Sequence, residues 1–243
     1  MKRLAIIIIA AFAFSFSTEN AEDIIKKVDQ NMSAENRVVE SSMTIHGKRN
    51  SRTMTSISYS VGDKQSFTEY LTPAREKGTK MLKLENKLWI YSPSTDRTIQ
   101  ISGHMLRQSV MGSDFSYEDM MDDRELLDMY NAKLIGKEKL DDRPVFVIEL
   151  TAKVDNIAYN SRKTWIDTER YVPLKEELYA KSGQLLKRVS LSDVKQVEGR
   201  WFPMKMIYKD MLKAGKGTEM HFTSIKFNQE IPEYIFTKAA LKQ

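Results

Sequence analysis

The 243-residue sequence contains no cysteine and only three histidines. Without Cys the chain forms no disulfide, has no thiol nucleophile and cannot be lipidated on a cysteine. His46, His104 and His221 stand far apart, with no His-Glu-x-x-His pair, so neither a metal site built on His or Cys nor a resident cofactor is expected. There is no Gly-x-Ser-x-Gly elbow for a serine hydrolase. Gly215-Lys216-Gly217-Thr218 looks faintly like a phosphate-binding loop, but Asp210 occupies the place of the upstream glycine and a strand follows instead of a helix. It reads as a hairpin turn. Long charge blocks are also missing: 38 basic residues face 33 acidic ones, and no basic run marks a nucleic-acid surface. These absences exclude the common enzyme inventories and leave a binding protein.

One apolar run is present, at the start. Lys2 and Arg3 precede the uncharged stretch Leu4 to Phe16, and Ser15 and Ser17 follow at small-x-small spacing. That order matches the basic, apolar and cleavage regions of a secretory signal peptide. It is shorter than the roughly 20 residues of a membrane span. The sequence predicts a cleaved signal over residues 1–17, export of the rest and a single domain over 18–243; the alternative is a short uncleaved anchor. No Pro-rich or low-complexity linker divides the remainder.

Asn20 is placed to cap a helix, and Ala21, Ile24, Ile25, Val28 and Met32 form one apolar stripe at helical spacing. From Arg37 the period changes to two. Strands are predicted at 37–45, 52–61, 64–71, 79–84, 87–91, 97–101, 132–135, 144–152, 162–167, 174–179, 185–197, 201–211 and 218–227, separated by turn signals such as Gly62-Asp63 and Glu198-Gly199. Between His104 and Tyr130 alternation stops and helix-compatible residues take over, with Ser116 a candidate cap. Consecutive hairpins in such number imply one large antiparallel sheet, which must curl as it grows. The expected fold is therefore mainly β (α+β): a curled sheet forming an incomplete barrel, with segments 20–32 and 104–130 as its helical lid.

The lid segment carries Met105, Met111, Met120 and Met121. Unbranched, polarizable thioethers adapt to apolar partners of variable shape, and they also serve as ordinary core. Both readings stand on the residues alone. The acidic run from Glu118 to Asp128 lacks the glycine and spacing of a calcium loop and reads as a solvated helix face.

Several of these stretches form a recognisable set. Leu88-Trp89-Ile90-Tyr91-x-Pro93, Arg97, and Met111-Gly112-Ser113-Asp114-Phe115-Ser116-Tyr117-Glu118-Asp119 resemble the outer-membrane lipoprotein-sorting proteins, the LolA-like periplasmic carriers, in particular a spirochaete-type subgroup. Asp142-Arg143-Pro144-Val145-Phe146, Trp165-Ile166-Asp167 and Trp201-Phe202-Pro203 fit the same pattern. The resemblance implies an incomplete β-barrel with a hydrophobic cavity for lipid or lipoprotein acyl chains. It also implies a periplasmic location, an inner-membrane transporter that loads the cargo and an outer-membrane acceptor that receives it. Lipoprotein, free-lipid and hopanoid-like cargoes all fit. On this reading Trp89, Tyr91, Phe115, Phe146, Ile148 and Trp165 line the cavity and Met105, Met111, Met120 and Met121 belong to the lid. Gly103 and Gly112 permit hinge motion, and Gly112, Ser113 and Asp114 form the turn leading into the lid, with Asp114 or Ser116 capping the next helix. The competing reading is an envelope protein-interaction module whose sheet is filled by its own side chains.

Overall fold

The computed structural model describes residues 19–47, 50–122, 124–155 and 157–243; the expected export signal, residues 1–17, lies outside them. No helix among the described residues is long and apolar enough to cross a membrane.

Helix α1 spans Ala21–Met32, with the Asn20 side chain accepting the Glu22 N–H at 3.3 Å. Its stripe of Ala21, Ile24, Ile25 and Val28 is buried. Fully burying Ile24, Ile25 and Val28 contributes roughly 1.5–3 kcal/mol each, which a twelve-residue helix needs because short helices are marginal alone. The partners are Phe146, Ile148, Leu150 and Ile166 of the sheet. Asn31 fixes the far end of α1, donating to the Arg170 and Tyr171 carbonyls at 2.8 and 3.1 Å and accepting from the Trp201 N–H.

Thirteen strands follow: β1 (Asn36–His46), β2 (Ser51–Val61), β3 (Gln65–Thr72), β4 (Lys80–Leu84), β5 (Lys87–Ser92), β6 (Arg97–Ile101), β7 (Tyr130–Leu140), β8 (Arg143–Ala152), β9 (Ser161–Asp167), β10 (Pro173–Tyr179), β11 (Leu185–Val197), β12 (Arg200–Asp210) and β13 (Gly217–Phe227). They form one antiparallel sheet in the order β6-β5-β4-β3-β2-β1-β13-β12-β11-β10-β9-β8-β7. The sheet does not close into a barrel. Its two edges, β6 and β7, are consecutive in the chain, so the connection through residues 102–129 links one edge to the other. Bulges between Glu40 and Ser41 and between Leu178 and Tyr179 add local twist. The suspected phosphate loop is the β12–β13 turn. Gly217 has φ +97, and a Cβ there would stand 2.8 Å from the Tyr208 carbonyl.

Alternation sorts each strand into an inner and an outer face. The inner face carries Met43, Met54, Tyr70, Met81 and Leu88 in one half and Phe146, Ile148, Leu150 and Ile166 in the other. On the outer face Phe67, Leu82 and Trp89 pack against Phe236 and Leu241 of two C-terminal 3-10 turns, Glu233–Phe236 and Ala240–Lys242.

The connection from β6 to β7 is less helical than its helix-compatible composition suggests. It consists of 3-10 turns at Gly103–Arg107 and Val110–Gly112, then α2 (Tyr117–Met121) and α3 (Leu126–Met129). Met111 and Gly112 take left-handed φ values of 51 and 74, which end the second turn. Val110 N–H then bonds the Phe115 carbonyl at 2.9 Å, closing a loop instead of a helix. Ser116 begins α2 in a reciprocal capping box with Asp119.

Candidate functional site

A cavity of about 640 Å³ opens on the inner face. Its floor is built from alternate residues of four adjacent strands: Thr164 and Ile166 of β9, Glu176 and Leu178 of β10, Val189 and Leu191 of β11, Met206 and Tyr208 of β12. Register places Thr164 opposite Glu176, Glu176 opposite Val189 and Val189 opposite Tyr208. Ile25, Val28 and Asp29 of α1 form one wall, and Phe115, α2 and α3 supply the other. Phe115 stacks on Tyr208 with centroids 4.3 Å apart. The other half of the inner face is closed: Met105, Met111, Met120 and Met121 pack there against Met43, Met54, Met81 and Val110.

The cavity is not uniformly apolar. Arg162 projects beside its floor, its Nε donating to the Tyr130 hydroxyl at 2.9 Å and its guanidinium lying 3.7 Å from Asp122. The rings of Tyr130 and Tyr159 lie 5.0 and 5.8 Å from it. Tyr159 donates to the Asp119 carboxylate and stands 3.3 Å from the Tyr208 hydroxyl. Burial raises the Tyr159 phenol far above its ordinary value, and the Asp119 charge adds to the shift. Burial also raises Glu176, against the opposing pull of Arg162 and the Thr164 hydroxyl.

Asp29, on the α1 wall, is pushed up to about 6 by burial and then by the nearby Glu125 and Asp128 carboxylates. A folded value above the unfolded one means the ionised carboxylate opposes folding above about pH 6, and the penalty fades as pH falls toward 4. Asp29→Asn should therefore stabilise the protein near pH 7.5, by on the order of 1 kcal/mol after discounting for its partial exposure. Urea melts should show the gain shrinking toward pH 4. An equal gain at both pH values would assign it to helix propensity instead.

The connection is held over this site by buried polar contacts. The Asp114 carboxylate accepts the Thr218 hydroxyl at 2.8 Å and the Asp210 N–H at 2.9 Å, while the Asp114 N–H donates to the Thr218 hydroxyl oxygen at 2.9 Å. Lys187 Nζ bridges the Asp114 carbonyl at 2.7 Å and the Asp210 carboxylate at 2.9 Å. Ser116 caps α2, and Asp114 instead reaches across to β12 and β13.

The structure separates the aromatic residues named from the sequence. Phe115 lines the cavity. Phe146 and Ile148 are on the inner face under α1, wholly buried. Trp89 and Tyr91 are on the outer face with the C-terminal turns. Trp165 is also on the outer face, packed with Val145 and Val147, its indole donating to Glu138 at 3.0 Å. Met105, Met111, Met120 and Met121 sit together beside the cavity, and Met129, the fifth Met of the connection, packs under α1. Arg162, Thr164, Glu176 and Tyr159 were not singled out by sequence reasoning. In Ser161–Asp167 each face carries a basic residue and one large apolar residue, Lys163 and Trp165 on one and Arg162 and Ile166 on the other, so the pattern does not reveal which turns inward. Among the described residues no group of three or more His, Cys, Asp and Glu is arranged to hold a metal.

A family model described as "Uncharacterized protein"-like matches residues 62–243. No curated protein matches the sequence. Several solved structures match the fold over nearly the whole chain. A DUF1329 family protein from Desulfovibrio piger has a TM-score of 0.82 at 23% identity, covering 91% of this chain and 97% of that one. A domain described as an outer membrane lipoprotein-sorting protein from Vibrio parahaemolyticus has a TM-score of 0.79 at 26% identity, covering 92% and 100%. A LolA superfamily protein from Nitrosomonas europaea has a TM-score of 0.75 at 25% identity, covering 90% and 98%.

Proposed function

The chain belongs to the family whose model spans residues 62–243 and has the fold of the LolA-like lipoprotein-sorting proteins, and on that premise we propose that it is a periplasmic carrier of lipid or lipoprotein acyl chains. The cavity of about 640 Å³ on the inner face is the observation that carries this reading. Its size falls within the roughly 300–1,000 Å³ that typically holds a small organic ligand. A sheet filled by its own side chains, as an interaction module would have, leaves no such space. Leu178, Val189, Leu191, Ile25 and Val28 give an acyl chain an apolar bed. Burying twelve methylenes there yields on the order of 10 kcal/mol gross, before the costs of ordering and association.

The carrier is non-enzymatic on this reading, and the phenols that line its cavity are held protonated by burial. Cargo would be loaded at an inner-membrane transporter and passed to an outer-membrane acceptor. The test is to purify the mature chain from a native-like host, extract it with organic solvent and identify bound lipid by mass spectrometry. Stoichiometric phospholipid or acylated peptide is expected. Leu191→Trp, which fills the floor, should cut retention at least tenfold while circular dichroism still reports the sheet. A lipid-free protein that also rejects added fatty acid would overturn the carrier reading.

A further inference from the structure

We propose that the cavity selects amphiphiles with a cationic head, and that Glu176 and Thr164 form the seat for an ammonium group. This deepens the carrier reading and rests on it. Eight carboxyl side chains line the cavity against three guanidinium groups. Those three are already engaged. Arg124 and Arg162 share Asp122, at 2.9 and 3.7 Å, and Arg37 donates to the Ser60 hydroxyl at 3.0 Å. Arg162 is further held by the Tyr130 hydroxyl, which leaves it poorly placed to receive a ligand anion among so many carboxylates. Glu176 faces the same space and forms no ion pair among the described residues, the Arg162 charge acting on it only from beyond ion-pair distance.

The second observation is Thr164. It is 1% exposed and lines the cavity, and its hydroxyl oxygen makes no hydrogen bond of ordinary geometry; its one polar neighbour is Glu176, directly opposite in register, whose charge it helps to stabilise. Among the described residues no N–H group donates to the Thr164 hydroxyl oxygen, whose own proton the Glu176 carboxylate attracts. An acceptor pair of this kind, the hydroxyl buried and the carboxylate half-buried, is completed by a group with several N–H donors and a positive charge, and an ammonium has three. Leu178, Val189 and Leu191 adjoin the seat, so the attached chain continues onto apolar floor. Tyr159 and Tyr208 line the same space, and an aromatic ring favours a cation over an anion.

The test is calorimetric titration of the full mature chain with decylamine, decanol and decanoate near pH 7.5, each below its aggregation threshold. Decylamine is expected to bind at least tenfold more tightly than decanol, and decanoate most weakly. Glu176→Gln should abolish the preference for the amine while leaving decanol binding unchanged. Should that variant not fold, Thr164→Val, equal in shape, should weaken decylamine severalfold and decanol not at all. Equal affinities for the three ligands, or tighter decanoate, would overturn the cationic seat and leave the carrier reading standing. Failure of all three to bind would overturn both.

Discussion

Asp114→Ala is expected to release residues 103–121 from the sheet without unfolding the sheet itself. The side chain is buried, and its carboxylate satisfies both the Thr218 hydroxyl and the Asp210 N–H. Alanine leaves those two donors without their acceptor in a region closed to water, at about 1–3 kcal/mol each. Lys187 retains Asp210 at 2.9 Å, so the β11–β12 pairing keeps its own ion pair. The loss therefore falls on the connection. Hydrogen exchange is the direct measurement: amides of 103–121 should exchange roughly 100-fold faster, the equivalent of about 3 kcal/mol, while β11 to β13 remain protected. Phe115 moves with the segment and withdraws its ring from Tyr208, so bound lipid should exchange faster as well. Unchanged protection would mean that Lys187 and Lys213 on the Asp114 and Ser113 carbonyls, with the Met packing around Val110, suffice to hold the segment.

Much of the fold is readable in the sequence because most of the sheet alternates cleanly. Met43 and Ile45 of β1, or Phe202 and Met204 of β12, are inner or outer by simple parity, and the turn glycines mark where one strand ends. Helix α1 is legible for a different reason: its cap and its stripe agree. The strand predicted at 132–135 extends over Tyr130–Leu140 because it is an edge, and Lys137, Glu138 and Lys139 look like a loop while serving to protect that edge. The connection at 102–129 is less legible. Its conformation is set by Asp114 reaching partners about a hundred residues away, a contact that no local pattern encodes.

The candidate site is harder to read than the fold, again for a physical reason. Aromatic size suggests a cavity wall, yet Trp89 and Trp165 are on the outer face, where Lys238 lies 4.4 Å from one ring and Lys175 lies 4.0 Å from the other. Those lysine stems shield the indoles as an apolar wall would. The cavity floor is instead made of mid-sized Val and Leu broken by Thr164 and Glu176, which in sequence look like solvent-facing positions. Parity assigns residues to two faces; only the cover supplied by α1 and Phe115 decides which face encloses space.

Asp167→Ala should be the most damaging single substitution in the cavity's scaffold. Asp167 is wholly buried and accepts six hydrogen bonds: two each from the Arg143 and Arg170 guanidinium groups at 2.7–3.1 Å, and one each from the Glu169 and Arg170 N–H at 3.0 Å. Burial alone would raise its pKa, but the two arginines and the two N–H groups hold it far below the usual carboxylate range. Removing it leaves Arg170 and two backbone N–H groups without their acceptor, while Arg143 keeps Glu169 at 2.9 Å; at about 1–3 kcal/mol for each buried donor left unmet, the loss is large against a typical total stability of about 5–15 kcal/mol. The sign with pH follows from the depressed folded value. The stabilisation is complete above the unfolded value of about 3.9 and is lost as pH falls through the folded one. Urea melts should therefore show a large difference between wild type and variant at pH 7 that contracts below about pH 4. A difference independent of pH would assign the effect to shape instead of charge. The turn that Asp167 organises joins β9, which carries Thr164, to β10, which carries Glu176, and it also holds Asn31 at the end of α1. Loss of the carboxylate thus loosens the floor and one wall of the cavity together, and lipid retention should fall at temperatures where the variant is still folded.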